Sequence, residues 1–187
     1  MPDKIRPEPN EYFMRIALAV RSRANCKGSR VGAVIVRDGR IISTGYNGTP
    51  QDMTNCEEGG CERCSNREKK YPSGTGYDIC ICVHAEQNAI LTAARFGIAI
   101  EGSSVYSTMR PCFGCTKEML QAKIVSVYFL HDWKHPNPET RVEYEKLQGR
   151  LPGGIRKVDV DDPDREWAVK SRPATATVAD PHGIQES

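Results

Sequence analysis

Apolar and polar positions alternate along the chain in two rhythms. Phe13, Ile16, Ala17 and Val20 return at helical spacing, so a first helix is predicted there, with Asn10 as its cap. A polar, basic loop containing Arg23, Lys27 and Arg30 follows. Residues 31–36 and 40–44 are short β-rich runs on either side of Asp38-Gly39. That pair suits a tight reversing turn at positive φ, so the two runs should be antiparallel neighbours. Residues 49–80 are rich in Cys, Gly and Glu and show little periodicity. Helical spacing resumes from His84 to Arg95, where Ala89, Ile90, Ala93 and Ala94 form the stripe to be buried. A strand near 104–107, a helix from about Cys112 to Ala122 and an apolar strand over 124–130 complete the regular part. A further helix over 139–148 and an edge strand over 155–160 are weaker signals of the same kind.

Strands alternating with helices predict an α/β fold: a three-layer α/β/α sandwich around a mixed five-stranded sheet. Residues 1–160 are read as one domain that includes the Cys-rich insertion at about 49–80. Residues 161–187, rich in proline, charge and small side chains, are expected to form a loosely ordered tail. A chain of 187 residues, 39% hydrophobic and 27% charged, suits one buried core, and a net charge of +2 does not by itself mark a nucleic-acid surface. Neither a signal peptide nor a membrane span is expected, because the first nine residues hold three prolines and no apolar run, and no 18-residue apolar stretch occurs anywhere. With no secretion signal, the eight cysteines point to a reducing cytoplasm rather than a disulfide framework.

The chemistry is concentrated in His84-Ala85-Glu86 and Pro111-Cys112-Phe113-Gly114-Cys115. One imidazole and two thiolates leave the fourth position of a tetrahedral zinc open, which a hydrolytic zinc requires and a structural zinc does not. Pro111 fixes φ just before a helix start, so Cys112 and Cys115 lie one turn apart on one face, with thiol pKa values depressed by the helix N-terminus. Glu86, two residues from the His, is the candidate proton shuttle. A lone Cys-x-x-Cys also serves redox sites or half of a structural zinc site. A purely structural zinc module has no use for Glu86.

With both motifs quoted, the chain resembles the deoxycytidylate (dCMP) deaminases of the cytidine deaminase superfamily over about residues 10–135. Val31-Gly-Ala-Val-Ile-Val36, the segment Arg40 to Pro50, His84-Ala-Glu-Gln-Asn-Ala-Ile90 and Pro111 to Cys115 carry the likeness. The zinc pattern is that of zinc deaminases generally. The Gly45-Tyr46-Asn47-Gly48-Thr49-Pro50 turn resembles the nucleotide-handling turn of the dCMP branch. The resemblance implies zinc-dependent hydrolysis of dCMP to dUMP and ammonia, feeding thymidylate synthesis. It also implies a homo-oligomer, with a hexamer favoured, regulated by dCTP and dTTP, with Mg2+ as companion of a nucleotide effector. It makes Asn47 a sugar or phosphate contact, although Asn-Gly is also a common turn pair. A 5′-phosphate requires at least one cation, and Arg30 is the choice among the loop's basic residues. Where the family generally carries a Tyr after the last core strand, this chain has Trp133. An indole stacks and donates but does not accept a hydrogen bond, so dCMP, CMP and 5-substituted pyrimidine nucleotides all remain candidates. Cys26, Cys56, Cys61 and Cys80 stand where many microbial members hold a structural zinc; Cys64 and Cys82 compete for the same role.

Two other classes share parts of the pattern. A polynucleotide deaminase acting on tRNA or single-stranded DNA is expected to need a basic, aromatic-lined channel, against which the near-neutral balance argues. A non-catalytic zinc-binding module would bind metal and release no ammonia.

Overall fold

A computed structural model describes residues 6–169. Helix α1 spans Pro9–Arg21 and strands β1 and β2 span Gly32–Arg37 and Arg40–Tyr46. The short helix α2, Glu62–Ser65, lies between two 3-10 turns, Cys56–Glu58 and Tyr77–Ile79. Helix α3 (Ala85–Arg95), strand β3 (Ser104–Met109), helix α4 (Phe113–Gln121) and strand β4 (Ser126–His131) follow. Helix α5 (Pro138–Gln148), strand β5 (Ile155–Lys157) and helix α6 (Glu166–Val169) complete the described chain.

The five strands form one sheet in the order β2-β1-β3-β4-β5. β1 is antiparallel to both β2 and β3, whereas β3, β4 and β5 run parallel, so the sheet is mixed as expected. Asp38 (φ 50°) and Gly39 (φ 72°) make the reversing turn between β1 and β2 in the conformation that Asp-Gly favours. Side chains alternate between the two faces. Val34, Val36, Tyr106 and Leu130 pack on Phe13, Met14 and Ala17 of α1. Ile35, Val105 and Val127 pack on Ala89 of α3 and on Cys115 and Met119 of α4. These two cores make the three layers. Gly45 of β2 lies so close to the α3 backbone at Ala85 and Ala89 that a side chain there would collide with it, and this close approach seats the start of α3 on the sheet.

Two expectations are corrected. Asn10 does not cap α1: the N-cap is Glu8, Pro9 occupies the first turn, and Asn10 Oδ1 instead accepts a 2.7 Å hydrogen bond from Tyr106 Oη. Nor does the chain loosen at 161. Arg21, 2% exposed, makes paired hydrogen bonds of 2.6 and 2.7 Å to Asp162, and His131 Nε2 donates to the same carboxylate at 2.6 Å. Trp167 is buried, and its carbonyl accepts from Arg30 N. The rest of the expected tail, 170–187, lies outside the described residues.

Candidate active site

Two helix starts meet beside the C-terminal end of β3. His84 is the residue that caps α3, and Cys112 is the residue that caps α4. Gln87 ties them together, for its Oε1 accepts from His84 N at 3.0 Å and its Nε2 donates to Glu118 Oε1 of α4 at 2.8 Å. The Sγ atoms of Cys112 and Cys115 each lie 3.4 Å from His84 Nδ1 and 3.5 Å from one another. Zinc bonds of ~2.3 Å to sulfur and ~2.0–2.1 Å to nitrogen put tetrahedral ligand atoms roughly 3.5–3.8 Å apart, so this donor set fits zinc.

Glu86 is 4% exposed and stands at the same helix start. Its Oε2 is 3.6 Å from Cys115 Sγ, and its Oε1 accepts a 2.8 Å hydrogen bond from Ser107 Oγ. Burial pushes the Glu86 carboxyl above the ordinary range, against the opposing pull of His84 and Ser107. Ser107, on β3, had no mark in the sequence, because it orients Glu86 only once the sheet places it beneath α3. The two thiols do not share the expected depression. The hydrogen bond with Cys115 and the adjacent imidazole bring Cys112 down to about 4, whereas its neighbour and burial push Cys115 up. Burial pulls the His84 imidazole down, but the Cys112 thiolate outweighs it and raises the group to about 9. Such a set releases protons as it takes up a metal.

His84, Cys112 and Glu86 line a cavity, with Cys115 buried behind them, and Asn47, Arg63, Arg67, Arg110 and Trp133 complete its wall. Asn47 is part of its wall: Oδ1 accepts from Val31 N at 2.7 Å and Nδ2 donates to Ser29 O at 2.8 Å. Trp133 packs edge-on against His135 and tilted against Tyr144. Arg30, the expected phosphate ligand, does not line the cavity; it bonds Glu57 at 2.8 Å and lies over the Trp167 ring. Of the arginines in the wall, Arg63 binds Thr75 O and Arg110 pairs with Asp132 at 2.6 Å. Arg67 has a buried Nη1 with no hydrogen-bond partner among the described residues.

The expected structural quartet of Cys26, Cys56, Cys61 and Cys80 is not a cluster. The chain instead gathers Cys26, Cys56, Cys64 and Cys82, and also Cys61, Cys64, Cys80 and Cys82, with all sulfurs of each group within 4.8 Å of one another. Cys64 and Cys82 belong to both because α2 and the stretch leading into His84 converge on that spot.

Residues 7–131 match the family model described as the cytidine and deoxycytidylate deaminase zinc-binding region. The chain belongs to this family. Within the cytidine and deoxycytidylate deaminases it is 41% identical over 128 residues to the deoxycytidylate deaminase of Schizosaccharomyces pombe, a match covering 68% of this chain and 38% of that protein. The chain thus spans about two fifths of the length of its yeast relatives. The deoxycytidylate deaminase of Mycobacterium phage D29 is 36% identical over 66% of this chain and 95% of its own. The dCMP deaminase of cyanophage S-TIM5, solved in complex with dCMP and dUMP, superposes with a TM-score of 0.62 at 29% identity, covering 82% of this chain and 99% of that one.

Proposed function

We propose that the chain is a zinc-dependent hydrolase that deaminates dCMP to dUMP and ammonia and so supplies dUMP for thymidylate synthesis. One observation carries the reading: a buried carboxylate, Glu86, lies beside the His84, Cys112 and Cys115 donor set, and Glu86, His84 and Cys112 line a cavity. The names of the phage relatives, which this chain covers almost completely, favour the nucleotide.

His84, Cys112 and Cys115 would hold a zinc ion, which would supply Lewis-acid activation of water. Glu86, with its raised pKa, accepts one proton of the attacking water and delivers it to the ring nitrogen of cytosine, then takes the remaining hydroxyl proton from the adduct and passes it to the departing amine. Ser107 holds Oε1 and leaves Oε2 to carry the proton. Trp133 forms a wall for base or sugar, and Asn47, whose amide retains one N–H and one lone pair beyond its backbone bonds, contacts the sugar. Arg67 replaces Arg30 as the proposed 5′-phosphate ligand, since its buried donor lacks a partner.

The working form is a homo-oligomer, with a hexamer favoured, that responds to dCTP and dTTP, with Mg2+ accompanying the effector. Exposed Leu91 of α3 and exposed Phe96 just past its end support an assembly. Its place is the cytoplasm, a reading supported by eight cysteines free of disulfides. Among the described residues no helix is long and apolar enough to cross a membrane. Ammonia release from free dCMP, a short RNA and a short DNA tests the reading: turnover of dCMP alone is expected, and turnover of either polymer in its place overturns it.

A further inference from the structure

The six cysteines away from the active site occupy three loops: Cys26 after α1, Cys56 to Cys64 around α2, and Cys80 with Cys82 just before His84. They make a core of their own, in which Cys26, Cys56, Cys61, Cys64 and Cys82 are buried with Cys80 packed against them. The Cys26–Cys64, Cys61–Cys80, Cys64–Cys80 and Cys64–Cys82 sulfur separations are 3.7, 3.8, 3.8 and 3.9 Å. A disulfide needs about 2.05 Å. The edge of a tetrahedral zinc thiolate with ~2.3 Å bonds is roughly 3.8 Å, which these separations match.

One ion takes four of these thiolates and leaves two equally well-placed sulfurs unused. The two quartets share Cys64 and Cys82, so two tetrahedra joined along that edge use all six. We propose that this cluster is a binuclear zinc-thiolate centre in which Cys64 and Cys82 bridge two ions. Cys26 and Cys56 complete the shell of one ion, and Cys61 and Cys80 that of the other. The surroundings suit thiolates. Lys27 N and Gly28 N each donate at 3.3 Å, to Cys56 and Cys26 sulfur respectively, and the Arg63 guanidinium borders Cys64 and Cys80, where six thiolates carry more charge than two divalent ions neutralise. The centre does for residues 49–80 what an apolar stripe does for a helix. It fixes the loops that bring Arg63, Arg67, Tyr71 and Tyr77 to the wall of the cavity.

This proposal stands apart from the deaminase reading, and metal counting separates the two. Full-length protein produced with zinc is expected to carry about three ions per chain by mass spectrometry, and His84→Ala about two. Cadmium-113 NMR of the cadmium-loaded wild type is expected to show two all-thiolate signals split by coupling to each other through the shared sulfurs. Because that measurement uses the unaltered chain, it does not depend on whether a Cys64→Ser or Cys82→Ser variant folds. A single unsplit thiolate signal with about two zincs per chain overturns the bridged pair, as does a purified protein whose thiolate site holds iron. Wild-type protein inactive on dCMP that still gives the coupled pair sinks the deaminase reading and upholds this one.

Discussion

In the proposed reaction Glu86 is the residue on which the chemistry turns. Glu86→Gln keeps the shape, the Ser107 contact and all three metal ligands but removes the group that exchanges a proton. Zinc content is expected to stay unchanged while kcat falls by about 10²–10⁴-fold, the usual worth of a positioned acid-base group. Near-native ammonia release by that variant would overturn the mechanism. At the proposed phosphate end, Arg67 lines the cavity and Arg30 does not. Losing a charge-assisted hydrogen bond costs about 1.5–3 kcal/mol, or roughly ten- to a hundredfold. Arg67→Ala should therefore lower kcat/KM for dCMP by about that factor while barely changing the already poor deoxycytidine. Arg30→Ala should leave the preference intact, because Arg30 is committed to Glu57 and Trp167. A lost preference in the Arg30 variant alone reverses the assignment.

At the scale of elements, what could be read from sequence was whatever repeats locally. The starts of α3 and α4, and with them the meeting of His84, Cys112 and Cys115, follow from apolar spacing and a well-placed proline; the β1–β2 hairpin follows from Asp-Gly. Contacts between distant segments left no such trace. The choice among six thiols depends on three loops without periodicity, and the partner of Arg21 lies 141 residues away. That last contact explains why residues 161–169 are packed rather than loose. Burial pushes the Asp162 carboxyl up, but hydrogen bonds from Arg21 and His131 outweigh it and hold it below the ordinary range. A depressed carboxylate contributes stability that is fully present above its unfolded value, about 3.9, and is lost as pH falls through the lower folded value. Asp162→Asn leaves a buried guanidinium without its counter-charge and is expected to cost about 3–5 kcal/mol at neutral pH, with the gap to wild type closing in acid. Urea melts at several pH values check both parts. An equal loss at every pH would mean that the carboxylate's charge is not what stabilises the contact.

For the whole molecule, the open question is what covers the outward side of α3. The helix buries Ala85, Glu86, Ala89 and Ala93, yet Leu91 is 58% exposed and Phe96, the residue just past its end, 68%, with Arg95 over the Phe96 ring. Apolar area returned to cover gains about 25 cal/mol per Å², so two large side chains at one end of a helix favour association with a second copy. The same helix carries Glu86 near its other end, so the proposed assembly would bear on the site. Sedimentation at micromolar concentration is expected to give a particle several times the 20.8 kDa of the chain. Leu91→Asp combined with Phe96→Asp should lower that mass while the zinc content stays, because neither side chain approaches a metal ligand. A wild type that sediments at the mass of one chain would remove the assembly and with it the basis for cooperative control by dCTP and dTTP. An assembly undisturbed by the double substitution would keep the oligomer but move its interface away from α3.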